Sequence, residues 1–240
     1  MKLEKHTATS RGYANHGWLQ ATHSFSFANY YNPSRMQFGA LRVLNDDLIA
    51  PSMGFSTHPH KDMEIITIPL KGELKHKDNM ANDWLFVKPN EVQVMSAGTG
   101  VFHSEVNGSS NEHLSLFQIW IVPNKNGVTP RYDQKFFPSE ERKNKQQIVV
   151  SSFDDENGGL KIHQDALISR IDVDKDKEFV YHLKSQHHGV YLMNIAGNIS
   201  VENDNLNSRD AIAIYETNSF NIKANEYSEL LMIEVPLKGQ

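Results

Sequence analysis

An all-β fold, a sandwich or one or more barrels, is what this 240-residue sequence predicts, and three observations carry the expectation. Short runs rich in Val, Ile, Leu and aromatic residues recur along the chain, and Gly, Asn, Asp or Pro separates most of them. Phe220, Ile222 and Ala224 alternate with Asn221 and Lys223, the period of two expected of a half-buried strand, and no segment sustains a helical period. Three segments of the first half also find weak echoes, in the same order, in the second half.

In chain order the expected strands begin with 41–44 and 63–70, the second carrying three isoleucines beside Thr67. Runs 84–87, 92–95 and 116–122 follow, each ending near a Pro, Gly or Asn. Then 137–147 interrupts the pattern with a polar stretch, in which Ser139 is expected to cap a short helix with glutamates in its first turn; it is taken as a linker. Beyond it lie 148–150, 190–195, 211–215, 220–224 and 230–235. The echoes pair IPLKGEL around Gly72 with MNIAGNI around Gly197, the run from Glu91 with that from Asp210, and 119–123 with 232–236. One large all-β domain and two small ones both fit the length.

Composition narrows the chemistry. Apolar residues make up 39% and charged residues 22%, as in an ordinary globular chain. Lys and Arg total 24 against 29 Asp and Glu, and a net charge of -5 argues against direct contact with nucleic acid or an anionic membrane. No stretch approaches a membrane span, and the N-terminal twenty residues lack the apolar run of a signal peptide, so a cytoplasmic location is expected. The absence of Cys removes disulfides, thiolate metal sites and thiol nucleophiles. Any metal must therefore be held by His, carboxylate and water.

Twelve His make their spacing the place to look. His58-Pro-His60 and His103-Ser-Glu105 are both i, i+2 pairs, each following glycines (Gly54; Gly98 and Gly100). On strands each pair shares one face, and two such strands side by side bring four ligands together. Three imidazoles and a carboxylate suit a divalent first-row metal and leave positions open for water or substrate. Glu64 is a second candidate carboxylate, since it lies at even spacing from His60. Affinity is expected to fall as pH drops through roughly 6, where free imidazole protonates.

Segments 24–31, 38–80 and 92–105, which include both motifs, resemble the pirin family of the cupin superfamily, and the bacterial pirin-like proteins most closely. The resemblance implies a bicupin, two tandem jelly-roll-like cupin barrels. Residues 1–135 would form the N-terminal metal-binding cupin and 136–240 a C-terminal cupin without metal. It implies one divalent metal per chain held by residues matching His58, His60, His103 and Glu105, and favours Glu105 over Glu64. Iron is the expected ion, with nickel, copper, manganese and zinc as alternatives.

The resemblance further implies a quercetin 2,3-dioxygenase-type oxidoreductase. A flavonol or similar enol would chelate the metal, Glu105 would act catalytically by accepting the hydroxyl proton, and dioxygen would cleave the ring. Two other roles stay open: a metal- or redox-sensing pirin that binds a regulatory protein partner, and a cupin hydrolase or isomerase acting without dioxygen. Phe25, Phe27, Phe38, Met53, Phe55 and Trp84 are candidates to line an apolar cavity, and Gln118 to hydrogen-bond a ligand there. Counting from Gly197 and Asp210 as the motifs count from Gly72 and Glu91 gives Leu183, Ser185, Ile222 and Ala224, so no second metal is expected. His182, His187 and His188 are expected to be exposed or locally bonded.

Overall fold

A computed structural model of the protein describes residues 1–81 and 83–237. Two β-barrels follow one another, each made of a seven-stranded and a four-stranded sheet. In the first barrel the large sheet runs Arg131–Phe136, Glu91–Ser96, Glu64–Lys71, Leu114–Ile121, Leu41–Ile49, Leu19–His23, Gly12–Asn15. Its small sheet runs Gly54–His60, Val101–Asn107, Leu74–Asp78, Leu85–Val87. The large sheet of the second barrel runs Lys2–His6, Ala211–Tyr215, His188–Ala196, Ser228–Pro236, Leu167–Val173, Gln147–Ser152, Leu160–Ile162. Glu178–His182, Ser219–Ala224, Ile199–Val201 and Asp204–Leu206 complete it. The bicupin expectation is met. The first strand, Lys2–His6, pairs with Ala211–Tyr215, so residues ahead of 136 contribute to both barrels.

Alternation along the strands decides what faces what. Ile66, Ile68, Phe117 and Ile119 of the first large sheet pack with Tyr191, Met193, Leu231 and Ile233 of the second, forming an apolar layer between the barrels. The residues between them in sequence point into each barrel. In the second barrel these form one continuous core that includes Leu192, Ile212, Phe220, Ile222 and Met232. In the first barrel the interior core is split into two clusters, one around Leu74, Leu114 and Leu116, the other around Ile65, Met95 and Val101. Buried polar side chains, among them Thr67, Gln93, His103 and Glu105, belong to the same barrel. Interrupting an apolar core with polar groups costs stability unless those groups are hydrogen-bonded.

The polar stretch between the barrels differs from expectation. Its helix is a single 3-10 turn, Ser139–Arg142, whose N-cap is Pro138 with no side-chain cap, so Ser139 does not cap it. Arg142 is buried: its Nε donates to both carboxylate oxygens of Asp172, at 3.0 and 2.9 Å, and a guanidinium N–H to Asn90 Oδ1 at 2.9 Å. The segment clamps one barrel to the other instead of merely spanning the gap. Among the described residues no helix is long and apolar enough to cross a membrane.

Candidate metal centre

Both histidine motifs lie on strands of the small sheet, and the strands pair antiparallel with His58 opposite His103 and His60 opposite Val101. The register then slips between His103 and Glu105, so that Glu105 stands opposite Phe55, a bulge that turns Phe55 toward the same cavity as the carboxylate. Gly54 permits this pairing. A Cβ there would lie 2.1 Å from the Glu105 carbonyl oxygen and 2.5 Å from Val106 Cα.

Three imidazoles converge. Ring centroids of His58 and His103 are 4.3 Å apart, those of His60 and His103 4.8 Å, and those of His58 and His60 4.9 Å. His58 Nδ1 is 2.7 Å from the Ser56 carbonyl oxygen, which only accepts, so Nδ1 carries the proton and Nε2 presents its lone pair inward. Burial, helped by the positive charge neighbouring imidazoles would carry, lowers His60 to about 4 and His103 to about 3. Both are neutral at ordinary pH, the state in which imidazole binds metal.

Glu105 is buried beside His103. Its Oε2 accepts from Gln118 Nε2 at 2.9 Å and its Oε1 from Thr67 Oγ1 at 3.4 Å, while Thr67 Oγ1 lies 3.1 Å from Gln118 Oε1. The structure thus brings together His58, His60 and His103 as one cluster, and His103, Glu105 and His76 as a second that shares His103. His76 was missed from sequence. It sits on Leu74–Asp78 with Leu74, His76 and Asp78 turned inward, and its Nε2 is 3.0 Å from Asp78 Oδ2. The H-x-D spacing was the available signal, hidden because Lys75 and Lys77 make the segment read as exposed.

Glu64 is not part of either cluster. The chain turns after His60, with Asp62 in the left-handed region (φ 47°), and Glu64 opens a strand of the other sheet. There it shares the inter-barrel face of Ile66 and accepts from Ser96 Oγ at 2.7 Å. The even spacing from His60 misleads because the strand does not continue.

A cavity of about 630 Å³ opens over the imidazoles. Phe27 and Phe55 line it as expected, and Gln118 does too. Trp18, Tyr30 and Trp120 add walls, with Trp18 edge-on to Phe55 at 5.2 Å and Trp120 edge-on to Phe27 at 5.3 Å. The other four aromatic and thioether candidates lie elsewhere. Phe25 and Phe38 pack on Tyr191 between the barrels, Met53 is exposed, and Trp84 sits under the Lys75 ammonium at 4.8 Å. Barrel packing and surface cover claimed them, which residue type alone does not reveal.

The donor set fits a divalent first-row ion. Three imidazoles offer nitrogens that all lie within 4.8 Å of one another, and a carboxylate is held next to one of them. Among the described residues the second barrel has no counterpart: Ile222 and Ala224 lie in its apolar core, Leu183 packs against it, and Ser185 is half-buried. His188 is buried between Glu234 and Asp165 at 3.0 and 3.3 Å, while His182 and His187 are exposed. No further cluster of three such ligands occurs among the described residues.

A family model described as Pirin matches residues 5–121, and one described as Quercetinase C-terminal cupin domain matches residues 149–235. The chain is 45% identical over 229 residues, 95% of its length and 96% of the relative's, to an Escherichia coli protein named quercetin 2,3-dioxygenase. It is 42% identical to a pirin-like protein of Caulobacter vibrioides, over 93% of this chain and 95% of that one. Among solved structures, a bacterial pirin from Escherichia coli in complex with nickel(II) superposes with a TM-score of 0.92 at 43% identity, covering 99% of this chain and 100% of that one.

Proposed function

This chain belongs to the pirin family, and from that premise we propose that it is a metal-dependent oxidoreductase of the quercetin 2,3-dioxygenase type. We take its metal to be a single divalent transition ion held by His58, His60, His103 and Glu105. The observation that carries this reading is the convergence of three imidazoles, with an oriented carboxylate beside His103, in an aromatic cavity. The relative named quercetin 2,3-dioxygenase supports a flavonol-like substrate, and the nickel complex of the bacterial pirin supports a first-row ion. Iron remains the expected choice.

When bound, the ion supplies Lewis acidity and a template for a chelating enol and dioxygen. The remaining work belongs to side chains. Ser56 fixes the tautomer of His58, keeping Nε2 free of a proton. Gln118 and Thr67 hold the Glu105 carboxylate in place, each using one oxygen and leaving that oxygen a second lone pair. Glu105 accepts the proton of the substrate's enolic hydroxyl through such a lone pair. Trp18, Phe27, Phe55 and Trp120 form walls suited to a planar ring system and exclude water from the reacting atoms.

The test is anaerobic reconstitution with iron, nickel, copper, manganese and zinc in turn, followed by quercetin and dioxygen. Flavonol loss, oxygen uptake and carbon monoxide are monitored, with Glu105→Ala as control. Metal-dependent turnover that releases carbon monoxide and is lost in the variant is the expected result. A stoichiometrically loaded protein that consumes neither flavonol nor dioxygen overturns the proposal.

A further inference from the structure

The wall of the cavity facing the imidazoles carries a carboxyl group that has no role in the metal cluster. Asp47 lies on Leu41–Ile49, in the large sheet, whereas the three histidines lie on the small one. It lines the cavity, and it alternates with Asn45, which lines it too, and with Ile49, which belongs to the barrel's interior core. Asn45 stands directly opposite Gln118 on the neighbouring strand and Asp47 opposite Leu116. Asp47 is therefore the diagonal neighbour of Gln118, about 7 Å away along the strands.

Asp47 is 4% exposed, and its Oδ1 is buried with no hydrogen-bond partner. The nearby cations are committed to the other face of the strand: Arg11 and Arg209 both pair with Asp46, at 3.6 and 3.5 Å. Asn45 is turned toward His23, whose Nδ1 lies 2.9 Å from its Oδ1. A buried carboxyl without a partner costs stability in the free protein, so its presence calls for a ligand. Burial, with the like charges of Asp46 and Glu105, raises the Asp47 carboxyl to about 8. At neutral pH the group thus keeps its proton and both donates and accepts.

We propose that Asp47 is a specificity-determining residue whose carboxyl hydrogen-bonds a phenolic hydroxyl of a polyphenolic substrate, on the wall opposite the imidazoles. The proposal rests on the functional reading above, in which the enol end of the same molecule sits at the metal. It predicts selectivity for polyphenols over planar enols that lack further hydroxyls, since a buried polar group left unpaired by the smaller ligand penalises it.

Binding without turnover tests this, by quenching of Trp18 and Trp120 fluorescence in nickel-loaded protein kept free of dioxygen. The probes are quercetin and 3-hydroxyflavone, which shares the chelating enol but lacks the other hydroxyls. The unmodified protein is expected to bind quercetin about tenfold more tightly. Asp47→Ala is expected to bring the ratio near one, chiefly by weakening quercetin, and Asp47→Asn, which keeps a polar group of the same shape, to restore part of it. An unchanged ratio in the folded Asp47→Ala protein overturns the proposal. So does equal binding of the two probes by the unmodified protein, which needs no variant. Binding of both probes with no dependence on Asp47 leaves the functional reading standing, whereas failure of both to bind loaded protein overturns the two together.

Discussion

His58 and His103 meet nitrogen to nitrogen, Nε2 to Nε2 at 2.9 Å, directly opposite each other across two paired strands. Because Ser56 already holds the proton of His58 on Nδ1, the shared hydrogen comes from His103 Nε2–H. Two lone-pair-bearing nitrogens held this close need either a proton or a cation between them. Replacing His103 by Ala should therefore abolish stoichiometric metal while leaving the strand content of the circular dichroism spectrum unchanged. His187→Ala, at an exposed position in the other barrel, should leave metal content intact. Metal analysis after gel filtration checks both, and loss of the ion from the His187 variant would refute the ligand assignment.

Retention of the metal should extend to lower pH than free imidazole chemistry predicts. An expectation drawn from the ordinary His value puts the loss near pH 6, but burial lowers His60 to about 4 and His103 to about 3. A neutral imidazole binds and a protonated one does not, so lowering the value moves proton competition downward. Metal should be retained at about pH 5.5 and leave as pH approaches about 4. Dialysis against buffers across this range, followed by metal analysis, decides it; half-loss near pH 6.5 would contradict the burial of these rings.

Gln118 earns its place through Glu105 and not through the substrate alone. Its amide N–H fixes Oε2, and the single Thr67 hydroxyl proton lies within reach of both Gln118 Oε1 and Glu105 Oε1, so the three side chains position one another. Gln118→Leu should lower kcat by about ten- to a hundredfold with the metal still bound, as expected when a partner that orients an active group is lost. Gln118→Glu should do worse, since it sets a second carboxylate against the first. Steady-state rates normalised to metal content separate these effects from simple loss of the ion.

The two motifs were legible because an i, i+2 pair on a strand fixes its own face, and the echo between halves was legible wherever strands ran straight. Gly72 and Gly197 both turn at φ 85°, and Val92 and Ala211 both face the layer between barrels. The third echo misled: Ile119 faces that layer whereas its proposed match Met232 faces the second barrel's interior, so the two strands correspond only after a shift by one. His76 escaped because Lys75 and Lys77 beside it read as surface, and the inward turn of Asp47 because it directly follows another aspartate. Leu167–Val173 escaped because its Ser, Arg and Asp hid a strand buried along its whole length. Arg170 and Asp172 are tolerated there because partners on neighbouring segments neutralise them.

Arg142 makes the junction between barrels a point of stability. It is buried with Asp172 and also reaches Asn90 in the first barrel. Removing one partner of a buried pair leaves the other uncompensated, at a cost of about 3–5 kcal/mol. Arg142→Ala should lower stability by about 3 kcal/mol, whereas Lys143→Ala, whose ion pair with Asp174 is exposed, should change little. Urea denaturation of the two variants tests the contrast, and equal midpoints would show that the clamp contributes nothing.

Asp47 should reveal its cost through pH. Its carboxyl is raised to about 8 in the folded protein, from an ordinary value of 3.8. Between those values the unfolded chain has lost a proton that the folded chain keeps, so this group makes stability fall as pH rises and then level off above about 8. Asp47→Asn substitutes a neutral group of the same shape and removes that penalty. The variant should be more stable than the unmodified protein, by a margin that grows from about pH 4 to about pH 8 and then stays constant. Urea midpoints at about pH 5 and pH 8.5 check the sign, because a carboxyl stabilised by a hidden cation would give a margin that is negative and the same at both pH values. A residue that weakens the free protein while sharpening its choice of ligand is the trade expected of a binding group, and the same substitution should show both halves of it.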